Sequence, residues 1–227
     1  MKKSKIFYLL FFLFFFNLGV CQKRTYINKE GDTISKSQIK DKEKQLGYSL
    51  TRWSYTGEDG KNYVKLSENV FLTTSIDYDE IRTEIEKVTN SKLSDSTTVI
   101  IEYYYKDDMC TDSSKDNEWS KEEISKRKTF LRPIKKKLNY EGVFFICLFE
   151  NGIILKNNTK KDKEYFFTDA ENFFRQKVFL NPTTCGSYAA IKPNGETLIR
   201  NGEYRADSFA NYLKPENWAL VFDSKMD

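Results

Sequence analysis

The sequence predicts an α/β domain built on a mixed sheet with helices on both faces, preceded by a small strand-rich extension. Two apolar runs, Thr97–Tyr105 and Gly142–Glu150, are typical of buried strands. A helical segment between them supplies the crossover that joins two parallel strands. Tyr188–Ile191 and Glu196–Arg200 flank the turn Lys192–Gly195, which predicts an antiparallel hairpin. A crossover followed by a hairpin gives a mixed sheet.

The first apolar run is the centre of this prediction. Val99–Ile101 and Tyr103–Tyr105 are β-branched and aromatic, and only Glu102 interrupts them. The lack of polar alternation predicts a strand that is covered on both faces, with the tyrosines in the core. The acidic turn Lys106–Asp108 follows and leads to Cys110. Because open α/β sheets place ligands and chemistry at the carboxyl ends of their strands, Cys110 is a candidate functional residue.

Capping signals predict the helices of the main domain. Asp77–Glu80 is typical of an N-cap, and the apolar spacing behind it predicts a helix over 78–90. The capping box Ser120–Glu123 opens a longer helix that contains Pro133, where we expect a kink. Its buried stripe is predicted to be Ile124, Leu131, Ile134 and Leu138.

In the carboxyl-terminal part of the chain, the sequence patterns predict shorter elements. A further capping box, Thr168–Glu171, predicts a helix over 169–179. Ala206–Leu213 is predicted to form the last helix, and Trp218–Phe222 a final apolar strand or packing tail.

The segment over residues 25–75 is predicted to be strand-rich. Thr25–Asn28 and Thr33–Ile34 surround a turn, and Ser35 is placed to cap a helix over Lys36–Leu46. Tyr48–Tyr55 and Asn62–Leu66 then flank a turn-rich hairpin signal. We therefore divide the chain into residues 1–21, an extension over 22–76 and a main domain over 77–227.

Residues 1–21 have the pattern of a secretory signal peptide. Three lysines precede the apolar run Ile6–Phe16, and small residues lie before Gln22. We expect cleavage near Cys21–Gln22 and a periplasmic or extracellular protein with no stable membrane span. An uncleaved anchor and lipid attachment at Cys21 are the two alternatives, although Val20 fits a lipobox poorly.

Composition excludes several function classes. Removing residues 1–21 takes away three of the 37 basic residues and none of the 33 acidic ones, so the net charge falls from +4 to +1. This balance gives no reason to expect nucleic-acid binding. The chain has no histidine, which excludes Ser-His-Asp or Cys-His catalysis and histidine-ligated zinc. Three cysteines remain after residue 21, and an odd number in an exported chain suggests one disulfide and one free thiol.

The order of elements over about residues 78–214, with a cysteine directly after the first core strand, resembles the thioredoxin fold, a three-layer sandwich. Phe130–Leu138 resembles the proline-kinked helix of that family. Cys185–Glu196 resembles the segment that runs from its cis-proline through a strand to a tight turn.

The sequence departs from that family at the redox motif. Cys110-Thr111-Asp112-Ser113 lacks the second cysteine of C-x-x-C, and Gly186 stands where the family has its cis-proline. The residue before that proline lies beside the redox cysteine in this fold. The resemblance therefore implies a Cys110–Cys185 disulfide, with Cys147 as the buried free thiol.

Three functions are compatible with these residues. The first is an exported thioredoxin-fold protein with a structural or binding role, a degenerate redox site and an unknown protein partner. The second is an exported thiol–disulfide oxidoreductase in which Cys110 is the catalytic nucleophile, Cys185 the resolving partner and Ser113 a tuning residue. Neither needs a cofactor or a metal. The third is an unrelated module whose acidic loop takes a cation through Asp107, Asp108, Asp112, Asp116 and Glu118.

Overall fold

The computed structural model describes residues 24–67, 70–110, 117–158 and 164–223. Residues 1–23, which carry the signal-peptide prediction, lie outside the described residues. So do Ser113, Asp112 and Asp116, to which the sequence assigned tuning and cation-binding roles.

The first part of the chain forms a four-stranded sheet. Its strands are β1 (Thr25–Ile27), β2 (Thr33–Ile34), β3 (Thr51–Thr56) and β4 (Asn62–Ser67). They lie in the order β2-β1-β4-β3, with β1 parallel to β4 and the other two pairs antiparallel. Helix α1 (Lys36–Leu46) connects β2 to β3 and begins with a capping box between Ser35 and Gln38. The predicted helix and strands of this segment are present, except that the strand predicted from Tyr48 begins at Thr51, because Gly47–Ser49 forms a 3-10 turn.

A six-stranded mixed sheet forms the centre of the main part of the chain. Its strands are β5 (Phe71–Ser75), β6 (Thr98–Tyr104), β8 (Val143–Glu150), β10 (Phe166–Asp169), β11 (Ser187–Ile191) and β12 (Glu196–Asn201). Their order is β10-β8-β6-β11-β12-β5. The three strands β10, β8 and β6 are parallel, whereas β11, β12 and β5 are joined by antiparallel pairing. A separate parallel pair consists of β7 (Glu118–Trp119) and β9 (Ile154–Leu155).

Helices cover both faces of this sheet. They are α2 (Tyr78–Thr89), α3 (Lys121–Tyr140), α4 (Phe173–Lys177), α5 (Ala206–Ala210) and α6 (Pro215–Asp223). Side chains of β6 alternate between two cores, because successive residues of a strand point to opposite faces. Ile100 and Tyr104 pack with α3, α5 and α6, whereas Ile101 and Tyr103 pack with α2 and α4. The mixed three-layer arrangement predicted from the sequence is confirmed.

Three local predictions need correction. The helix predicted over 169–179 is confined to Phe173–Lys177, since Phe166–Asp169 instead pairs with β8 and buries two phenylalanines. The predicted last helix, Ala206–Leu213, ends at Ala210 and continues as a 3-10 turn. Trp218–Phe222 is not a strand but lies in helix α6, which begins at Pro215, a residue suited to the first helical position.

Strand β5 was not predicted as a separate element. It pairs with β12 at the edge of the central sheet, although it lies before the boundary that we placed at residue 76. That boundary remains a prediction. Pro133 lies inside helix α3, which is continuous from Lys121 to Tyr140, and the kink expected there stays a prediction. Among the described residues, no helix combines the length and the apolar character that a membrane span requires.

Candidate functional site

A disulfide joins Cys110 and Cys185, as the resemblance implied. The Sγ–Sγ distance is 2.06 Å and the two Cα atoms are 5.0 Å apart. The sheet explains why these cysteines meet: β6 and β11 are antiparallel neighbours, so the carboxyl end of β6 lies beside the start of β11. Cys147, the third cysteine, is a buried free thiol within β8, which confirms that prediction.

The turn before β11 brings Cys185 close to the end of β6. Cys185 and Gly186 both have positive φ angles, +68° and +83°. A Cβ at Gly186 would lie 2.5 Å from the carbonyl oxygen of Tyr103. Glycine is required here because no side chain fits against that carbonyl. Gly186, at the position where thioredoxins have proline, therefore allows the close approach of the two chain segments.

Asp108 is the buried acid behind the disulfide. Its Oδ1 accepts a hydrogen bond from the backbone N–H of Cys110 at 3.0 Å, and its Oδ2 accepts one from the N–H of Cys185 at 2.8 Å. Burial raises the pKa of Asp108 to about 7, although the two backbone hydrogen bonds act to lower it. One carboxyl group thus links both cysteine backbones and titrates near neutral pH.

Strand β3 holds the same two segments from the N-terminal sheet. The N–H of Met109 donates to the carbonyl of Ser54 at 2.9 Å. On the other segment, the N–H of Ser54 donates to Thr184 Oγ1 at 2.7 Å, and the N–H of Thr184 donates to the carbonyl of Arg52 at 2.8 Å. The residues directly before both cysteines are therefore fixed by the same strand.

A cavity of about 550 Å³ opens beside the disulfide, and we call it the disulfide cleft. Cys110 is exposed and Cys185 is half-buried. Aromatic rings form much of the wall, and two arginines lie over one of them: the guanidinium carbons of Arg127 and Arg205 are 5.1 Å and 5.8 Å from the ring centre of Phe130. The lining residues are Tyr104, Tyr105, Asp108, Cys110, Trp119, Arg127, Phe130, Cys185, Glu203, Tyr204, Arg205 and Ser208.

A buried ion pair lies under the disulfide cleft, and sequence reasoning missed it. Arg127 Nη2 donates to Glu102 Oε1 and, at 3.3 Å, to the hydroxyl of Tyr188. The hydroxyl of Tyr104 donates to the same Glu102 oxygen at 2.5 Å. A signal was present, because Arg127 occupies the position of the α3 stripe between Ile124 and Leu131, and Glu102 interrupts an otherwise apolar strand.

Cys147 belongs to this buried cluster and not to the disulfide cleft. Its Sγ lies 3.6 Å from Glu102 Oε2 and can donate to it. Complete burial, together with the Glu102 carboxylate, raises the pKa of the Cys147 thiol well above its ordinary value. This thiol is therefore poorly suited to exchange with either sulfur of the disulfide.

The described acidic residues of the loop that suggested a cation site make other contacts. Asp107 Oδ1 accepts from Asn117 Nδ2 at 2.7 Å, and Glu118 lies 3.7 Å from Lys156 Nζ. Asp108 is occupied by the two cysteine N–H groups. Within the described ranges, no group of three or more potential metal ligands is found.

No protein family and no curated protein matches the sequence. Several solved structures are similar, among them the following two. The first is the exposed lipoprotein thioredoxin of Streptococcus pneumoniae strain TIGR4, with a TM-score of 0.35 and 11% identity over 72% of this chain and 98% of that one. The second is BsSco, a member of the Sco family of cytochrome c oxidase assembly proteins, with a TM-score of 0.31 and 10% identity over 75% of this chain and 94% of that one.

The order and connections of the strands in this chain define its fold. Strands β6 and β8 are parallel and joined through α3, and β11 and β12 add an antiparallel hairpin on the other side of β6. The order β8-β6-β11-β12 is that of the thioredoxin core, and a cysteine follows its first strand. The chain therefore has a thioredoxin-like fold.

Proposed function

We propose that this chain is an exported thioredoxin-fold protein that binds a protein partner through the disulfide cleft, with Cys110–Cys185 as a structural bond. The observation that carries the proposal is the cleft itself, a concave surface of about 550 Å³ with aromatic walls. Cavities of this size are the usual sites of small-molecule recognition, and a single side chain of a protein partner can enter one in the same way. Phe130 is 42% exposed there, so a partner's apolar side chain would gain contact area by covering it.

The setting of Cys110 favours a structural bond. Reactive cysteines have a lowered thiol pKa, which a helix N-terminus or a nearby cation provides. Among the described residues after Cys110, the first helix is α3, which begins at Lys121. The carboxyl group of Asp108 lies directly behind the disulfide and opposes a thiolate whenever it is ionised. The reduced state therefore lacks the thiolate stabilisation that makes a redox-active disulfide easy to reduce.

Binding of the apolar anion anilinonaphthalene sulfonate tests the cleft. Phe130→Asp should weaken binding of this probe by about tenfold, because it removes apolar contact area and adds a charge that repels the sulfonate. Tyr140→Asp is the matched control, since Tyr140 lies on the same helix, is 94% exposed and is outside the cleft. Equal affinity of the two variants, measured by fluorescence titration, would contradict the proposal.

Export is tested separately. We expect the mature chain to begin at Gln22, because the apolar run and the small residues before that position fit a cleaved signal peptide. Mass spectrometry of the secreted protein gives the answer directly. An acylated N-terminal Cys21 would replace the soluble form with a lipid-anchored one.

Thiol–disulfide exchange is the second candidate function, and the exposure of Cys110 favours it. In this reaction the Cys110 thiolate attacks a substrate disulfide, and one substrate sulfur leaves as a thiolate. Cys185, after losing its proton, then attacks the mixed disulfide and releases the second substrate thiol. Two electrons pass to the substrate, and the Cys110–Cys185 bond forms. Ser113 keeps its predicted tuning role in this scheme.

The reduction potential of Cys110–Cys185 separates the two candidates. A structural bond should lie below about −300 mV, whereas a bond near about −200 mV would identify a redox protein. Insulin reduction by the wild type, lost in Cys110→Ser, would establish exchange. Absence of activity in the wild type would count against it.

A further inference from the structure

A second cavity, of about 340 Å³, lies between α1 and the N-terminal sheet. Met109 and Thr184, the residues directly before the two cysteines, also border it. We call it the cationic cleft, because Arg24, Lys36, Lys40 and Arg52 line it together with one acid, Glu43. The remaining lining residues are Tyr26, Ile39, Ser54, Val64, Met109 and Thr184.

Helix α1 directs two lysines into this cleft. Lys36, Ile39, Lys40 and Glu43 share one helix face through their spacing. Ile39 is buried and fixes that face against the sheet. Lys36 is the first residue of the helix, and the first turn contains no acid, so the positive end of the helix dipole adds to the lysine charges.

The positive charges of the cleft are poorly balanced. Arg52 Nη1 lies 3.4 Å from Glu43 Oε1, and this contact uses the one carboxylate in the lining. Within the part of the chain that the structure describes, no ion pair is made by Arg24, Lys36 or Lys40. Three cations that converge on one concave surface repel each other and attract an anion, which would remove that repulsion.

The floor of the cleft adds a neutral hydrogen-bond donor. Thr184 Oγ1 accepts the N–H of Ser54 at 2.7 Å, which leaves the hydroxyl proton of Thr184 to donate. An anion with several oxygens can use this hydroxyl and more than one cation together. Phosphate has that property, whereas a chloride ion does not.

We propose that the cationic cleft binds a phosphate-type oxyanion, either a free phosphomonoester or the headgroup of an anionic phospholipid. The sequence makes a phospholipid headgroup relevant. Arg24 follows closely after the apolar run Ile6–Phe16 and after Cys21, the alternative site of lipid attachment. This inference is independent of the disulfide cleft and of the function proposed for it.

The test uses two double variants of α1. Lys36→Gln/Lys40→Gln removes two charges from the cleft. Lys42→Gln/Lys44→Gln removes two charges from the same helix outside the lining, so the net charges of the two proteins are equal. Circular dichroism first establishes that α1 is retained in both.

Binding is then measured with glycerol phosphate by calorimetry and with phosphatidylcholine vesicles, with and without phosphatidylglycerol, by sedimentation. The cleft variant should bind at least about tenfold more weakly than the wild type, because two charge-assisted contacts are lost. The control variant should stay within about twofold. Added salt should weaken wild-type binding.

The arms of the experiment distinguish the sources. Selective loss of glycerol phosphate binding supports the proposal with a free phosphomonoester as ligand. Selective loss of binding to phosphatidylglycerol vesicles alone supports it with a lipid headgroup as ligand. The proposal is overturned if the wild type binds neither probe, or if both double variants lose affinity equally, since attraction would then come from the general surface charge.

Discussion

Replacing Asp108 with asparagine should remove a defined pH dependence from the free energy of unfolding. Burial raises the pKa of this carboxyl from 3.8 to about 7. Each pKa unit corresponds to ~1.4 kcal/mol, so ionising Asp108 in the folded protein costs about 4 kcal/mol relative to ionising it in the unfolded chain. Asp108 has a higher pKa in the folded protein than in the unfolded chain, so its protonated form stabilises the folded protein. This contribution to the free energy of unfolding is fully present below about pH 4 and is lost as the pH rises through 7.

Asparagine has nearly the shape of the protonated acid and carries no charge at any pH. Its amide nitrogen cannot accept the second of the two backbone hydrogen bonds, so Asp108→Asn should be less stable than the wild type by about 1–3 kcal/mol near pH 4. Between pH 4 and pH 8 the difference should shift by about 4 kcal/mol in favour of the variant, because only the wild type loses stability as Asp108 ionises. Urea unfolding at intervals across this range measures the difference, and subtracting the two curves cancels the other titrating groups. Asp107→Asn, one residue earlier and 38% exposed at its side chain, is the matched control.

A constant difference between Asp108→Asn and the wild type across the pH range would refute the reasoning. So would a stability gain that appears at acid pH and disappears at neutral pH, since the sign of the linkage would then be opposite.

Two further predictions concern the surroundings of the disulfide. Gly186→Ala should lower the free energy of unfolding by at least about 3 kcal/mol. The left-handed backbone at this position disfavours alanine, and the alanine Cβ would lie 2.5 Å from the carbonyl oxygen of Tyr103. A loss below about 1 kcal/mol in urea unfolding would contradict this. Arg127→Met should cost about 3–5 kcal/mol by leaving the buried Glu102 without its cation. Arg127→Met/Glu102→Gln should recover part of the loss, because the neutral amide can still accept from the hydroxyl of Tyr104. A double variant no more stable than the single one would show that the ion pair is not the cause.

The central sheet was predictable because its strands are buried on both faces. Val99–Ile101 and Phe144–Phe149 are so uniformly apolar that no other placement is reasonable. The capping box at Ser120 was equally informative. The side chains of Ser120 and Glu123 accept hydrogen bonds from backbone N–H groups at the start of a helix, so the pattern indicates where α3 begins. The Cys110–Cys185 pairing came from the resemblance in strand order and not from cysteine spacing.

Other features depended on contacts between distant segments. The sequence pattern Thr168–Glu171 fits a capping box, but pairing of Phe166–Asp169 with β8 outweighs this local preference. Strand β5 was not predicted as an element, and its place beside β12 depends on pairing between segments that lie far apart in the chain. The cationic cleft could not be predicted from the sequence, because Arg24, directly before β1, and Arg52, within β3, come from separate parts of a sheet whose strand order is not sequential.

The Cys110–Cys185 bond joins residues that are 75 positions apart in the sequence, and the chain between them contains α3, β8, β10 and α4. An outside protease that cuts anywhere in this span leaves both fragments covalently joined and still paired in the same sheet. A single cleavage between Cys110 and Cys185 therefore does not release a fragment of the domain. Separation of the two fragments then depends on the local redox conditions, because the disulfide must be reduced before they can part.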